Sequence, residues 1–138
     1  MELQCKVEVG AAARAKVFAF WTDGAKRGLW EDDLERLAID GEIKAGASGV
    51  MKLRDKPEMR FTIIEALDGE IYSERYDLPF GTLIFAHGFS TEGGKSYITH
   101  GVKLEKSSIT EEDLAFLNAV FADFPIAALR LKNLLEER

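Results

Sequence analysis

Both histidines of the chain lie in one short stretch, FAHGFSTEGGKSYITHGV at residues 85–102, on either side of a glycine-rich turn. General acid–base chemistry uses an imidazole near a carboxylate, because the carboxylate favours the charged ring while burial favours the neutral ring. Strand alternation places the Glu74 carboxylate on the same face as His87 and His100. These three residues are the candidate catalytic group, and proton transfer on a bound carbonyl compound is the chemistry they would perform.

Two other interpretations of these residues stay open. The histidines could satisfy each other, a water or a backbone carbonyl as ordinary parts of a folded sheet. Two histidines and a glutamate are also enough ligands for a facial metal site, but nothing in their spacing requires one. The glycine-rich GASG at residues 46–49 lacks the lysine and hydroxyl residue of a phosphate-binding loop, so it predicts a strand bend. We therefore predict neither a metal nor a cofactor.

The elements that must position these residues are short strands. Six alternating or apolar runs predict strands at residues 35–40, 47–53, 59–67, 70–78, 81–90 and 95–105. Turn residues separate these runs, with Asp68-Gly69 and Gly93-Gly94 at two of the connections. The strict alternation of LQCKVEV at residues 3–9 predicts a further, half-buried strand. An antiparallel meander follows from this pattern.

The turns predict which residues face each other across the strands. A two-residue hairpin at Asp68-Gly69 gives the pairs Phe61–Tyr76, Ile63–Glu74 and Glu65–Tyr72. The next turn, PFGT, gives the pairs Tyr76–Phe85 and Glu74–His87. The hairpin over STEGGK gives the pairs Leu83–Val102, Phe85–His100 and His87–Ile98. In this register both histidines are on the inner face, as diagonal neighbours.

Three helices are predicted. Val17, Phe20 and Trp21 recur at helical spacing in AAARAKVFAFWTD, with Gly24 expected to end that helix, and KRGLWEDDL predicts a second, shorter one. Thr110 begins T-E-E-D, a capping pattern that predicts the start of a long C-terminal helix. One continuous apolar face follows along this helix, at Leu114, Leu117, Phe121, Phe124, Ala128, Leu131 and Leu135. Pro125 is expected to bend it.

This order of elements resembles the helix-grip fold of the START-like (SRPBCC) superfamily over essentially the whole chain. VFAFWTD…KRGLW resembles the paired helices of that family, and LAIDGEIKAGASGVMKL resembles its second and third strands. FAHGFSTEGGKSYITHGVKL resembles its last hairpin, most of all in the polyketide cyclase/dehydratase-like branch. The resemblance implies an α+β fold: a curved antiparallel sheet of about seven strands wrapped around a long C-terminal helix, with two short helices after strand 1.

The resemblance also implies a cavity between the sheet and the C-terminal helix, which would receive an apolar or amphipathic small molecule. The candidate ligand-binding residues are Phe61, Tyr72, Tyr76, Phe85, Phe89, Ile98, Leu117 and Phe121. Tyr72 and Tyr76 are the stronger candidates among them, because a phenol on an inner face needs a hydrogen-bond partner. The alternative is that the aromatic residues are plain core, and that Trp21 and Trp30 are anchors and not gates of a cavity mouth.

The composition fits one globular domain over residues 1–138, with 46% hydrophobic and 30% charged residues. Eighteen basic and twenty-four acidic residues give a net charge of −6, so we expect no nucleic acid partner. Cys5 is the one cysteine and has no internal partner, and the start MELQCKVEV has charges where a signal peptide needs an apolar stretch. We expect a soluble, cytoplasmic protein without a membrane span, and the sequence leaves open whether it is a monomer or a homodimer.

Three functions are compatible with these observations. The first is binding of a small apolar or amphipathic molecule, such as a lipid, an aromatic compound or a polyketide-like compound. The second is a cyclase/dehydratase-like enzyme that uses the candidate acid and base residues. The third is a protein-interaction module without a ligand. A filled core would favour the third over the first.

Overall fold

The computed structural model describes residues 1–137. The strands are β1 (Glu2–Val9), β2 (Leu34–Ile39), β3 (Ser48–Leu53), β4 (Met59–Leu67), β5 (Ile71–Leu78), β6 (Gly81–Glu92) and β7 (Lys95–Glu105). The helices are α1 (Arg14–Thr22), which follows a 3₁₀ turn at Ala11–Ala13, α2 (Gly24–Arg27), α3 (Glu111–Phe121) and α4 (Phe124–Leu135). All strands form one antiparallel sheet in the order β1-β7-β6-β5-β4-β3-β2. The predicted α+β class, the seven strands and the long C-terminal helix are confirmed.

The second predicted helix is much shorter than expected, and Gly24 does not end the first one. Asp23 ends α1 with an extended backbone, and its side chain accepts the backbone N–H groups of Ala25 and Lys26 at 2.9 and 3.2 Å. This cap starts α2 at Gly24, and α2 has only four residues. The second short helix is therefore confirmed, but its predicted extent was wrong: α2 includes only Lys26 and Arg27 of KRGLWEDDL, and the last residue of that stretch, Leu34, already begins β2.

The long C-terminal helix begins and bends where the sequence predicts. The Thr110 side chain accepts the backbone N–H of Asp113, and the Asp113 carboxylate accepts the N–H of Thr110 in return. The helix is interrupted between Phe121 and Phe124, directly before Pro125. The predicted apolar face is buried or partly buried except at its first position, since Leu114 remains 38% exposed.

The helical segment Glu111–Leu135 is long and apolar enough, by length and composition alone, to cross a bilayer. In the fold it packs mainly along β1 and β7. Leu117, Ala128, Leu131 and Leu135 are its most deeply buried apolar residues. One side of this helix is thus part of the core, and the opposite side is exposed.

The β4–β5 hairpin reaches the predicted register by a different route. Three residues, not two, separate Leu67 from its partner Ile71, so Glu65 faces Ser73 and not Tyr72. A bulge between Ile63 and Glu65 then takes up one extra residue on β4. Beyond the bulge Ile63 faces Glu74, as predicted, because the two one-residue shifts cancel.

The two following registers differ from the predicted ones by two residues. Pro79 and Phe80 alone form the β5–β6 turn, and Gly93 and Gly94 alone form the β6–β7 turn. The observed pairs are Tyr72–His87, Glu74–Phe85, Tyr76–Leu83, His87–His100, Phe85–Val102 and Phe89–Ile98. A shift of two keeps every side chain on its predicted face. It places the two histidines directly opposite each other instead of diagonally.

Candidate functional site

A group of polar side chains is enclosed between α1, α2 and the inner face of the sheet, and we call it the polar cluster. Its members are Trp21, Arg27, Tyr72, Glu74, Tyr76, His87 and His100. Each is at most 6% exposed, and Glu74 and Arg27 are 0% and 1% exposed. The three candidate catalytic residues thus lie on the inner face of three consecutive strands, as the alternation predicted.

Glu74 is held by an arginine and two tyrosines. The Arg27 guanidinium donates from Nη1 to Oε2 at 2.8 Å and from Nη2 to Oε1 at 3.2 Å. The hydroxyl of Tyr72 donates to Oε2 at 2.7 Å, and that of Tyr76 donates to Oε1 at 3.2 Å. A carboxylate has about four acceptor positions, so these four bonds leave little capacity for a further partner.

Arg27 is satisfied on its other side as well. Its Nε donates to Glu31 at 2.6 Å, and its Nη1 also lies 3.2 Å from the backbone carbonyl of Trp21. Although burial lowers the pKa of the Arg27 guanidinium, the charges of Glu31 and Glu74 raise it well above its ordinary value. The guanidinium is therefore a permanent positive charge inside the fold.

The two histidines contact each other and the neighbouring tryptophans. Their ring centroids are 4.9 Å apart in an edge-to-face arrangement. Trp21 Nε1 donates to His100 Nε2 at 3.1 Å, and His87 Nδ1 donates to the backbone carbonyl of Tyr72 at 3.0 Å. Trp30 lies against His100 with a centroid distance of 5.1 Å. Since both tryptophans are buried, they are anchors, as one of the two interpretations held.

The electrostatics of the cluster do not match the predicted acid–base pair. Burial and the positive charge of Arg27 lower the pKa of His87 from 6.5 to about 3. Burial, His87 and Arg27 lower the pKa of His100 well below the usual range. The expectation that His87 titrates near neutrality was therefore wrong. Burial is the larger cause of the lowered pKa of His87, and Arg27 adds to it, because its charge offsets that of the nearby Glu74 carboxylate. Burial and the charge of Glu74 also raise the pKa of Tyr72 and Tyr76, so both phenols stay protonated.

The candidate ligand-binding residues fall into two groups. Phe61, Tyr72, Tyr76, Ile98 and Leu117 are buried to at least 97% and belong to the packed core. Phe85, Phe89 and Phe121 are only partly buried. Only this second group has surface that a ligand could cover without displacing core side chains.

A chain of aromatic rings connects the two groups. The centroid distances are 5.6 Å for Phe61–Tyr76, 5.5 Å for Tyr76–Phe85, 6.1 Å for Phe85–Phe124 and 5.1 Å for Phe124–Phe121. The chain runs from β4 across the inner face of the sheet to the bend between α3 and α4.

Leu53, Met59 and Leu78 are also only partly buried on strands β3 to β5. We call this partly exposed apolar surface the trough, formed by Leu53, Met59, Leu78, Phe85, Phe121 and Phe124.

This chain resembles known proteins in its fold and not in its sequence. No family model matches the sequence, and a comparison with curated proteins finds no match. Solved structures match it over nearly all of its length. Protein MLL2253 of Mesorhizobium loti has a TM-score of 0.74 at 8% identity, with 99% of this chain and 97% of that chain covered. The Aha1 dimer of Colwellia psychrerythraea has a TM-score of 0.71 at 11% identity, with 99% of this chain and 96% of that chain covered. Truncated norcoclaurine synthase of Thalictrum flavum has a TM-score of 0.69 at 14% identity, with 100% of this chain and 94% of that chain covered.

This chain has the START-like helix-grip fold. Identities this low establish the architecture alone, because one fold carries many unrelated functions. Function must therefore be argued from the sites on this helix-grip domain.

The resemblance implied a cavity between the sheet and the C-terminal helix, but the depressions found in this structure lie elsewhere. Two shallow depressions of about 280 and 180 Å³ lie on the outer face of the sheet, around Ile84, Ala86 and Gly101. Near α1 the space between sheet and helices is filled by Trp21, Trp30 and the polar cluster. Among residues 1–137 no three histidine, cysteine, aspartate or glutamate side chains converge as metal ligands.

Arg27 is the member of the cluster that sequence reasoning missed. It lies in KRGLW, where a basic residue on a surface helix is the ordinary interpretation. Asp23 could have indicated the true start of α2, because aspartate is one of the preferred N-cap residues. No local signal shows that Arg27 points inward, since its partner Glu74 is 47 residues away.

Proposed function

We propose that this protein binds an apolar or amphipathic small molecule in the trough. The observation that carries the proposal is Phe85, an inner-face side chain that stays partly exposed between Tyr76 and Phe124. A packed sheet normally covers such a position with the helix above it. Here α3 and α4 pack mainly on β1 and β7, and Phe85, Phe121 and Phe124 stay partly exposed beside the helix bend.

The chemistry of the trough supports an uncharged ligand or an uncharged part of one. Its lining consists of phenyl rings, a thioether and alkyl groups, and the hydroxyl of Tyr76, whose ring lies beside Phe85, already donates to Glu74. A ligand is therefore held by apolar contact and ring stacking. The polar end of an amphipathic ligand would stay at the solvent side of the trough.

The polar cluster weighs against the alternative of a cyclase/dehydratase-like enzyme that uses Glu74, His87 and His100. A general acid or base must reach its substrate within hydrogen-bond distance and must change its protonation state near the working pH. Glu74 already accepts four hydrogen bonds, and both imidazoles are buried and held neutral. We assign the cluster a structural role, in line with the interpretation that the histidines are ordinary, hydrogen-bonded parts of the folded sheet.

Fluorescence titration with N-phenyl-1-naphthylamine, an uncharged apolar probe, tests the proposal. We expect saturable binding of about one probe per chain, in the micromolar range typical of small apolar ligands. Phe85→Ser and Phe124→Ser should each weaken binding at least tenfold. Leu67→Ser is the matched control, because Leu67 is exposed on β4 and outside the trough.

Circular dichroism must show that each variant is folded. If Phe85→Ser does not fold, Phe85→Leu provides a milder change at the same position. The absence of saturable binding to the wild type would refute the proposal. Equal binding by the wild type and the folded trough variants would also refute it, because the probe would then bind elsewhere.

A further inference from the structure

The outer side of α4 exposes two large apolar side chains. Ile126 is 54% exposed and Leu129 is 52% exposed, which places both among the most exposed large hydrophobic residues of the described chain. They are three residues apart and therefore neighbours on one helix face. The trough is on the other side of the helix, so this surface is separate from the proposed ligand site.

Exposed residues continue this face at regular spacing. Ala122, Ile126, Leu129 and Asn133 are all exposed and follow one another at intervals of four, three and four residues. Ala122 lies in the interruption before α4, but Ala122 and Asp123 keep right-handed helical backbone angles, so the face continues from Ala122 into α4. This spacing is the pattern of helix–helix seams. We call these four residues the α4 seam.

We infer that the α4 seam binds the same seam of a second copy of this chain, with the two helices antiparallel about a two-fold axis. An axis between Ile126 and Leu129 places Ile126 of each copy opposite Leu129 of the other. It also places Ala122 opposite Asn133, so a small side chain meets a larger one at both ends. A two-fold contact of this kind needs a self-complementary surface, and the seam provides one.

The charges beside the seam fit the same arrangement. Asp123 and Arg130 are exposed, lie on the same flank of the seam and are seven residues apart. In the antiparallel arrangement Asp123 of each copy faces Arg130 of the other, which gives two equivalent ion pairs. In a parallel arrangement in register this flank would lie on opposite sides of the contact in the two copies, so Asp123 would not meet Arg130. The two ion pairs therefore favour the antiparallel arrangement.

Arg130 also has a partner in its own chain. Its Nη1 donates to Asp32 at 2.5 Å, on the loop between α2 and β2. A guanidinium has five N–H donors, so the remaining ones stay free for Asp123 of the second copy. The contact with Asp32 holds Arg130 in place at the edge of the seam.

The size of the seam predicts a weak dimer. The twelve residues of α4 extend about 18 Å, and a single helix pair of this length lies at the low end of specific interfaces. We expect a dissociation constant of about 10–100 µM, as for transient complexes. Dimer formation should therefore depend strongly on protein concentration.

Sedimentation velocity on the full chain between about 5 and 500 µM tests the inference. The wild type should shift from the mass of one 15.4 kDa chain towards twice that mass. Leu129→Glu should weaken association at least tenfold, whereas Leu67→Glu, which places the same charge on an exposed leucine of β4, should leave it unchanged. A wild type that remains monomeric at about 500 µM would overturn the inference, and so would equal effects of the two glutamate variants.

A charge exchange tests the antiparallel register. Asp123→Arg alone and Arg130→Asp alone each place like charges across the axis, so each should associate at least tenfold more weakly than the wild type. An equimolar mixture of the two variants restores both ion pairs and should form a heterodimer. The Asp32→Asn substitution in all samples removes the intrachain partner of Arg130. A mixture that associates no better than its components would exclude this register.

Discussion

The guanidinium of Arg27 meets the carboxylate of Glu74 through two hydrogen bonds of 2.8 and 3.2 Å, at a place where neither residue is more than 1% exposed. Removing two such charges from water is costly, and only close geometry together with further hydrogen bonds offsets that cost. Tyr72, Tyr76 and Glu31 provide these further bonds. The pair also ties α2 to β5 and so fixes the short helix against the sheet.

Breaking this ion pair on one side should be strongly destabilising. We expect Glu74→Leu or Arg27→Met to lower the free energy of unfolding by about 3–5 kcal/mol, because each leaves the other charge buried without its main partner. The double variant should lose clearly less than the sum of the two single losses. Urea unfolding of the four proteins measures this coupling, and additive losses would show that the pair is not energetically linked.

The buried histidines should make stability fall in mild acid. The pKa of His87 is lowered to about 3 and that of His100 well below 6.5, so the unfolded chain binds protons that the folded chain excludes. The full stability is present above about pH 6.5. Below it the free energy of unfolding should fall by about 1.4 kcal/mol per pH unit for each histidine.

Urea unfolding between pH 7.5 and 5 measures this slope. Asp113 and Glu136 also have lowered pKa values, but they lose stability only near and below pH 4.5, outside this window. His87→Gln keeps an amide donor for the Tyr72 carbonyl and should reduce the slope by about half. Constant stability of the wild type from pH 7 to 5 would contradict the burial of both rings.

Two positions of α3 should differ in their contribution to stability. Leu117 is fully buried, and Leu117→Ala should cost about 2–5 kcal/mol of unfolding free energy. Phe121 is partly exposed beside the trough, so Phe121→Ala should cost about 2 kcal/mol, below the usual loss for a core phenylalanine. A loss of about 4 kcal/mol or more for Phe121→Ala would indicate a closed core in place of the trough.

Gly49 on β3 faces Phe61 on β4, and the Phe61 ring occupies the space that a side chain at position 49 would need. A Cβ at Gly49 would overlap Cζ of Phe61 and lie 2.7 Å from the carbonyl oxygen of Ala38. Gly49→Ala should therefore cost about 1–3 kcal/mol in thermal or urea unfolding. Gly10→Ala is the control, since nothing lies within 4 Å of a Cβ there, and it should change stability by less than about 0.5 kcal/mol. Equal effects would contradict the contact between ring and backbone.

Strand positions and faces could be predicted from the sequence because alternation has a period of two. Any register error of two residues keeps a side chain on its face, so Glu74, His87 and His100 were predicted on the inner face although two registers were wrong. The start of α3 at Thr110 and the bend before Pro125 were predictable for a similar reason, since capping and proline chemistry act over a few residues.

What those residues do was decided only by the tertiary structure. The sequence indicated a carboxylate next to an imidazole, but Arg27 reaches Glu74 from a four-residue helix whose extent depends on the cap at Asp23 and on packing against the sheet. This contact turns a candidate acid–base pair into a neutralised ion pair, and burial together with the positive charge of Arg27 keeps the histidines uncharged. Local periodicity determines which face a side chain takes, whereas the charge and hydrogen-bond partners around it come from residues distant in sequence, which only the folded chain brings together.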